Sequence, residues 1–455
     1  MTTHVDLLNE RILPALSKLA LPIMATSLIQ MAYNLTDMIW IGFLGADSVA
    51  AVGAAGMFVI LINGLSTMCR TGGQIKVGQC LGQHDPYQAS QYAQSAIQMG
   101  IVLSILCGII CVIFASPMVS FFNFSSAQVV NDATIYLIIC CGLTIFQFLN
   151  TIFTGILTAM GSSKVCLQAT GVGLVANIIL DPIMIFGFGF IPAMGVAGAA
   201  IATVTAQFVV CLLFIVVINK DHMVFDSVHL IAKPLWDRIK VIVMLGAPTA
   251  ADTAFYSIIS MFIARIIADY GDAAVAVQKV GAQIESITWM IAQGYGAALS
   301  SFVAQNCGAG KIDRIKQGYR LSIGLLTAWG GLTTVLLYCG ATMIFSIFIR
   351  EADVIPMGVH YLQILAISQI AMAIEYGVNG LFSGLGQTMI PSTISVIFTV
   401  IRVPMAMLLG HAIGLDGVWW TLTLTSILKT TLLLIIYFFK KHRPGFYSPH
   451  MVQPH

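Results

Sequence analysis

Apolar stretches long enough to cross a bilayer follow one another along almost the whole chain, and they leave it few folds to choose from. They lie near 14–43, 49–78, 89–115, 132–158, 164–188, 195–218, 240–268, 274–303, 317–348, 358–383, 389–411 and 416–439. A helix needs about 20 apolar residues to span the hydrocarbon core. Most of these runs are apolar on every side, as lipid-buried helices are. Transmembrane β-strands are excluded, because they alternate in polarity and are only about 10 residues long. Composition agrees: 58% of the residues are apolar and 9% charged, with a mean hydropathy of +0.91. A soluble domain carries roughly 25% charged residues. The expectation is an all-α polytopic membrane protein with twelve transmembrane helices.

Lysine and arginine set the orientation. With the N-terminus in the cytoplasm, the inside segments hold Arg11, Lys18, Lys164, Lys220, Lys233, Arg238, Lys240, Lys311, Arg314, Lys316, Arg320, Lys440, Lys441 and Arg443. The outside loops hold Arg350 alone. Both termini are therefore expected in the cytoplasm, with the spans in the inner (plasma) membrane. Asp6 and Glu10 precede the first span without a cleavage site, so this is not read as a signal peptide. The net charge of +2 comes with no basic domain, and no nucleic-acid partner is expected. The ten cysteines lack the paired spacing of metal sites or disulfide frameworks and read as small apolar fillers. No HExxH occurs, and no cofactor is expected.

The longest polar loop, 219–239, parts residues 1–218 from 240–439, with 440–455 as a cytoplasmic tail. The two halves look like repeats. At an offset of 226 positions, Pro22 falls on Pro248, Gly45 on Gly271, Val49 on Val275, Gln79 on Gln305 and Gly82 on Gly308. With small shifts, Gly155 and Gly161 match Gly380 and Gly386, Pro182 matches Pro404, and Gly195 and Gly198 match Gly414 and Gly417. The matches fall on glycine and proline, which fix backbone shape. Six spans per half give both halves the same orientation, so two pseudo-symmetric six-helix lobes with a transport path between them are expected.

Ionisable groups within a span are costly and are functional candidates. Asn177 and Asp181 are four apart and share a helix face. Pro182 follows, freeing the carbonyl of Ile178 and bending the helix. A carboxylate, an amide and a free carbonyl in one place suit a proton or a dehydrated sodium ion. Asp37 lies deep in the first span, beyond the bend expected at Pro22. A carboxyl held away from water is costly to ionise, so it can load and release a proton. The plainer readings are a satisfied proline kink for Asn177 and Asp181, and an interfacial polar residue for Asp37. Neither acid recurs in the second half: Asp37 meets Ile263 and Asp181 meets Val403.

In the second half, Asp252, Glu285 and Glu375 are candidate cation contacts, with Lys279 and Arg402 as partners. Structural salt bridges between spans explain each of them equally well. Arg70, Arg265 and Lys429 read as residues that snorkel to an interface. Tyr33, Tyr256 and Trp289 are placed to stack on lipophilic cations, though aromatics in a membrane bundle mostly serve packing.

These residues bring a family into view. Pro22 to Gly45, with Asp37 inside it, resembles the first helix of the multidrug and toxic compound extrusion (MATE) family. Asn177-Ile-Ile-Leu-Asp181-Pro182, followed by Gly195-Val-Ala-Gly198-Ala-Ala-Ile-Ala-Thr203, resembles its fifth and sixth helices. Gly78-Gln79-Cys-Leu-Gly82, Gln305-Asn-Cys-Gly308 and Asn379-Gly-Leu-Phe-Ser-Gly384-Leu-Gly386 also fit. The resemblance implies a V-shaped, alternating-access antiporter that exports organic cations, expected to be a monomer. It implies a cation site of Asp37, Asn177, Asp181 and Thr203 for a proton, with sodium at Asp37, Asn177 and Asp181 as the other option. The set is more similar to the prokaryotic branch named for a DNA-damage-inducible protein than to the sodium-coupled branch. Asp252 roughly fits the seventh-helix acid of that sodium branch, while Glu375 departs from the tenth-helix acid by about a turn.

Two other functions fit a chain of this kind. A lipid-linked precursor flippase would want a basic cavity, whereas the intramembrane charges here lean acidic. A membrane-embedded enzyme would want a Ser/His dyad, a paired aspartate motif or a metal cluster, and none is seen in the sequence.

Overall fold

The computed structural model describes residues 4–447 apart from 123, 125, 190, 221–223, 231, 349–350 and 352–353. Arg350, the one basic residue expected outside, lies beyond the described residues. The first half runs through α1 (Ile12–Gly42), α2 (Ala46–Gly82), α3 (Pro86–Ser120), α4 (Ala127–Gly142), α5 (Ile145–Ala159), α6 (Ser163–Phe186) and α7 (Gly195–Ile218). The second half runs through α8 (Trp236–Ala268), α9 (Asp272–Gly308), α10 (Ile312–Cys339), α11 (Ala341–Ser346), α12 (Ile355–Ala366), α13 (Gln369–Gly384), α14 (Met389–Ile413) and α15 (Leu415–Lys440). Among the described residues the one β feature is an isolated bridge between Phe188 and Ile191.

The twelve expected spans are present, with three corrections. The span expected at 132–158 is α4 and α5, bent by 46°, and that at 358–383 is α12 and α13, bent by 45°. The third, 317–348, is α10 followed by the short α11, with Gly340 between them. Among the described residues, nine single helices are long and apolar enough to cross a membrane, and the two bent pairs bring this to eleven. The twelfth, α9, carries Gln278, Lys279, Gln283 and Glu285. Pro22, Pro182, Pro248 and Pro404 each lie inside an unbroken helix: α1, α6, α8 and α14.

Side chains follow the logic of a protein solvated by lipid. Along α3, Ser104, Gly108, Cys111, Ala115 and Val119 are buried at three- and four-residue spacing. Ile105, Ile109 and Ile113 point outward. Small residues inside let helix backbones approach closely, and large apolar ones meet the acyl chains. A Cβ on Gly108 would lie 3.1 Å from the carbonyl oxygen of Gly142 in α4.

The chain forms two compact units. One gathers Ala25–Ala250; the other gathers Leu7–Met24 and Ala251–Met451. In the first, α2 packs on α3, α4 and α5, and α6 packs on α7. In the second, α13 packs on α9, α10 and α15, and α14 packs on α15.

Two segments outside the spans are tied down. In the first unit, α3 presents Gln88, Gln91, Gln94 and Gln98 at helical spacing to the segment that connects the halves. Gln98 Nε2 donates to the carbonyls of Leu230 (3.0 Å) and Ala232 (2.9 Å), and Gln94 Oε1 accepts from the His229 amide at 3.0 Å. The Arg238 guanidinium donates to Gln88 and Gln91 and lies 4.6 Å from the Tyr92 ring centre. In the second unit, Asn306 Nδ2 donates to the Leu7 carbonyl at 3.1 Å and Arg314 Nε to the same oxygen at 3.2 Å. Lys311 Nζ reaches the Leu8 carbonyl and Asn9 Oδ1.

The repeated glycines have repeated reasons. Gly45 and Gly271 both adopt positive φ, 117° and 103°, just before α2 and α9. A Cβ on Gly198 would lie 2.2 Å from the Met184 carbonyl oxygen, and one on Gly417 would lie 2.1 Å from that of Leu409. In each half the proline-containing helix and the helix that follows it can close only over a hydrogen.

Candidate functional site

In α6 the buried residues Cys166, Ala169, Gly173, Asn177, Asp181 and Ile185 fall on one stripe. That stripe faces the interior because its other members are small or apolar, and it carries the polar pair inward with it. Asn177 and Asp181 are fully buried. Asn177 Nδ2 donates to Asp181 Oδ1 at 2.9 Å. On α1, Tyr33 and Asp37 are also four apart. Asp37 is buried, at 8% exposed. The Tyr33 hydroxyl donates to the Thr203 carbonyl of α7 at 3.3 Å, tying the first span to the seventh helix. Thr203 itself is 9% exposed.

Among the described residues, four buried oxygens here have no hydrogen-bond partner: Asp37 Oδ1, Asp181 Oδ2, Asn177 Oδ1 and Thr203 Oγ1. The two carboxyl groups are close enough to interact electrostatically. Two buried acids, each with an oxygen that receives no donor, are unfavourable as a pair of anions. Neutralisation by a proton, or by a small hard cation bound through oxygen, removes that cost. The donor set of carboxylate, amide and hydroxyl oxygens suits either ion.

Two further groups meet this site, and sequence reasoning missed both. Tyr136 of α4 is buried and interacts electrostatically with Asp37, Tyr33 and Cys140. Their four-residue spacing was visible, but nothing in the chain says which helix α4 faces.

In the second unit the candidates form a different set. Lys429 Nζ pairs with Glu375 Oε1 at 2.8 Å, with both side chains about nine-tenths buried. Lys429 therefore does not snorkel. Lys279, offered as a partner for the acids, is exposed. Gln369 Nε2 donates to Glu285 Oε1 at 3.4 Å, while its Oε1 accepts from the Thr288 hydroxyl at 2.8 Å. Asp252 is half-buried and interacts electrostatically with Lys429, Glu375 and Arg402. Trp289 is half-buried, and the Tyr256 ring is 54% exposed beneath the Arg402 guanidinium.

Comparison with known proteins follows the same division. The model of the MatE family matches residues 22–183 and, a second time, 248–408, starting at the two prolines that the repeat superimposes. The chain is 26% identical to a probable multidrug resistance protein NorM of Thermotoga maritima, over 93% of this chain and 91% of that one. It is 27% identical to a probable multidrug resistance protein YoeA of Bacillus subtilis, over 89% of each. Its fold is similar to that of a MOP superfamily transporter from Pyrococcus furiosus, with a TM-score of 0.88 and 22% identity over 96% of this chain and 98% of that one.

Proposed function

The chain belongs to the MatE family of multi-pass membrane transporters, and from that premise we propose that it is a plasma-membrane multidrug exporter driven by proton entry. It is a transporter and not an enzyme. Its exported compounds are organic and mostly cationic, and both termini lie in the cytoplasm.

One observation carries the reading: two buried acids, Asp37 and Asp181, share a site with four oxygens that lack donors. In the outward-facing state the pair takes a proton from outside. The loss of negative charge lets the Asn177–Asp181 hydrogen bond and the proline-containing helices α1 and α6 rearrange, with Pro22 and Pro182 as hinges, and the bound cation leaves. Return to the inward-facing state releases the proton. The cycle does work only because the acids hold the proton with different affinity in the two states. Proton coupling is favoured over sodium because Glu375, an acid of the second unit, already has a resident cation in Lys429.

Purified protein in vesicles, loaded with a cationic dye and given a pH gradient or a sodium gradient separately, tests this directly. Dye movement under the pH gradient alone is the expected result. Asp37→Asn, correctly inserted, should lose essentially all gradient-driven dye movement. Retained movement in that variant overturns the assignment.

A further inference from the structure

Two cysteines of the first unit, far apart in the sequence, meet where α3 packs on α4. Cys111 is 3% exposed and Cys141 1%. They belong to one buried apolar cluster with Ala115, Ala133 and Leu137. A close approach of the two backbones brings them together. Gly108 lies one turn before Cys111 on the same buried face of α3. A Cβ there would lie 3.3 Å from the Cys141 carbonyl oxygen. Cys141 interacts electrostatically with Cys111 most strongly, then with Cys140 and Cys107. All four are free cysteines.

We propose that Cys111 and Cys141 form a binding site for a soft divalent metal ion that takes two ligands in line, namely mercury(II). Thiolate sulfur selects soft ions. Among the described residues no three His, Cys, Asp or Glu side chains form a metal-binding group, so an ion that demands four donors, such as zinc, is not held. Charge then decides between the ions that accept two. A divalent ion with two thiolates is neutral, and an apolar cluster can enclose it without burying a net charge. Copper(I) or silver(I) would leave one negative charge there, which is costly. The exchange needs no oxidant or reductant. Mercury(II) chloride gives up its two chlorides, two S–H bonds break, two Hg–S bonds form, and two protons leave with the chlorides. The chloride is a neutral molecule that can enter through lipid. A cleft of 310 Å³ lined by Ile105, Gly108, Ile109, Val112 and Gly142 offers the route and ends beside Cys141. Ile105 and Ile109 are exposed toward the acyl chains. The bridge would pin α4 to α3 next to the acid site, because Cys140 interacts electrostatically with Asp37.

The test uses the full-length purified protein, freed of reductant under nitrogen, with equimolar mercury(II) chloride. X-ray absorption at the mercury edge reads the sulfur and chloride neighbours of the metal. The wild type is expected to show two sulfurs and no chloride. Cys111→Ala and Cys141→Ala are each expected to show one sulfur with a chloride retained, and to bind mercury about tenfold or more weakly, since the second bond is lost. Cys211→Ala, outside the pair, is expected to match the wild type. A single sulfur in the wild type overturns the proposal, as does a pair variant that keeps two. Should the variants not fold, the wild type alone decides. Mercury(II) chloride is expected to raise its thermal unfolding temperature, whereas methylmercury chloride, with one bond to offer, is not. Equal shifts from the two reagents overturn the bridge.

Discussion

Lys429 shows what a single side chain can hide. In the sequence it is a lysine in an apolar run, and such lysines usually reach for the interface. In the fold it is buried against Glu375 because α15 packs on α13. Glu375→Gln should leave an uncompensated ammonium and destabilise the protein by roughly 3–5 kcal/mol, read as a fall in thermal unfolding temperature in detergent. Combining it with Lys429→Met should recover most of that loss, because the buried charge then goes too. Asn177 and Asp181 were legible beforehand because one helix carries both and its periodicity places them together. Thr203 entered through resemblance, and Tyr136 was invisible. Contacts within a helix follow from spacing, whereas contacts between helices need to know which faces meet. Lys279 was offered as a partner for the second-unit acids without that knowledge, and it is exposed, whereas Arg402 does interact electrostatically with Asp252 and Glu285.

Spans and repeats were readable because both rest on backbone physics. Apolar length marks a crossing segment, and glycine marks the places where no side chain fits. The bends at α4–α5 and α12–α13 were not readable, since a bent pair and a straight span have the same hydropathy. The glycines give a paired prediction. Gly198→Ala and Gly417→Ala each force a methyl against a carbonyl oxygen, at 2.2 and 2.1 Å, and should each cost about 1–3 kcal/mol by thermal shift. Gly331→Ala in α10 meets nothing within 4 Å and should be neutral or stabilising by up to about 1 kcal/mol. The glutamine face of α3 makes a further prediction. Gln94→Ala with Gln98→Ala removes three bonds that hold 229–232, and limited proteolysis should then cut the connector faster than in the wild type.

At the scale of the molecule, division into halves was visible in the chain, but the division of material was not. Sequence order suggests a cut at the polar connector. The compact units instead divide within α1 and α8, after Met24 and Ala250, close behind Pro22 and Pro248. A body that draws on both ends of the chain leaves no local signature, because its pieces are ordinary helix on either side of the division. Deleting residues 1–9 should lower the thermal stability of the full chain through loss of the Leu7 and Leu8 contacts to Asn306, Lys311 and Arg314.

That arrangement also bears on how the protein is made. Leu7 and Leu8 are translated some 300 residues before the amide, ammonium and guanidinium that grip them. Over that stretch of synthesis the nascent chain carries a segment whose resting place does not exist. The segment can be held only once Asn306, Lys311 and Arg314 have been made.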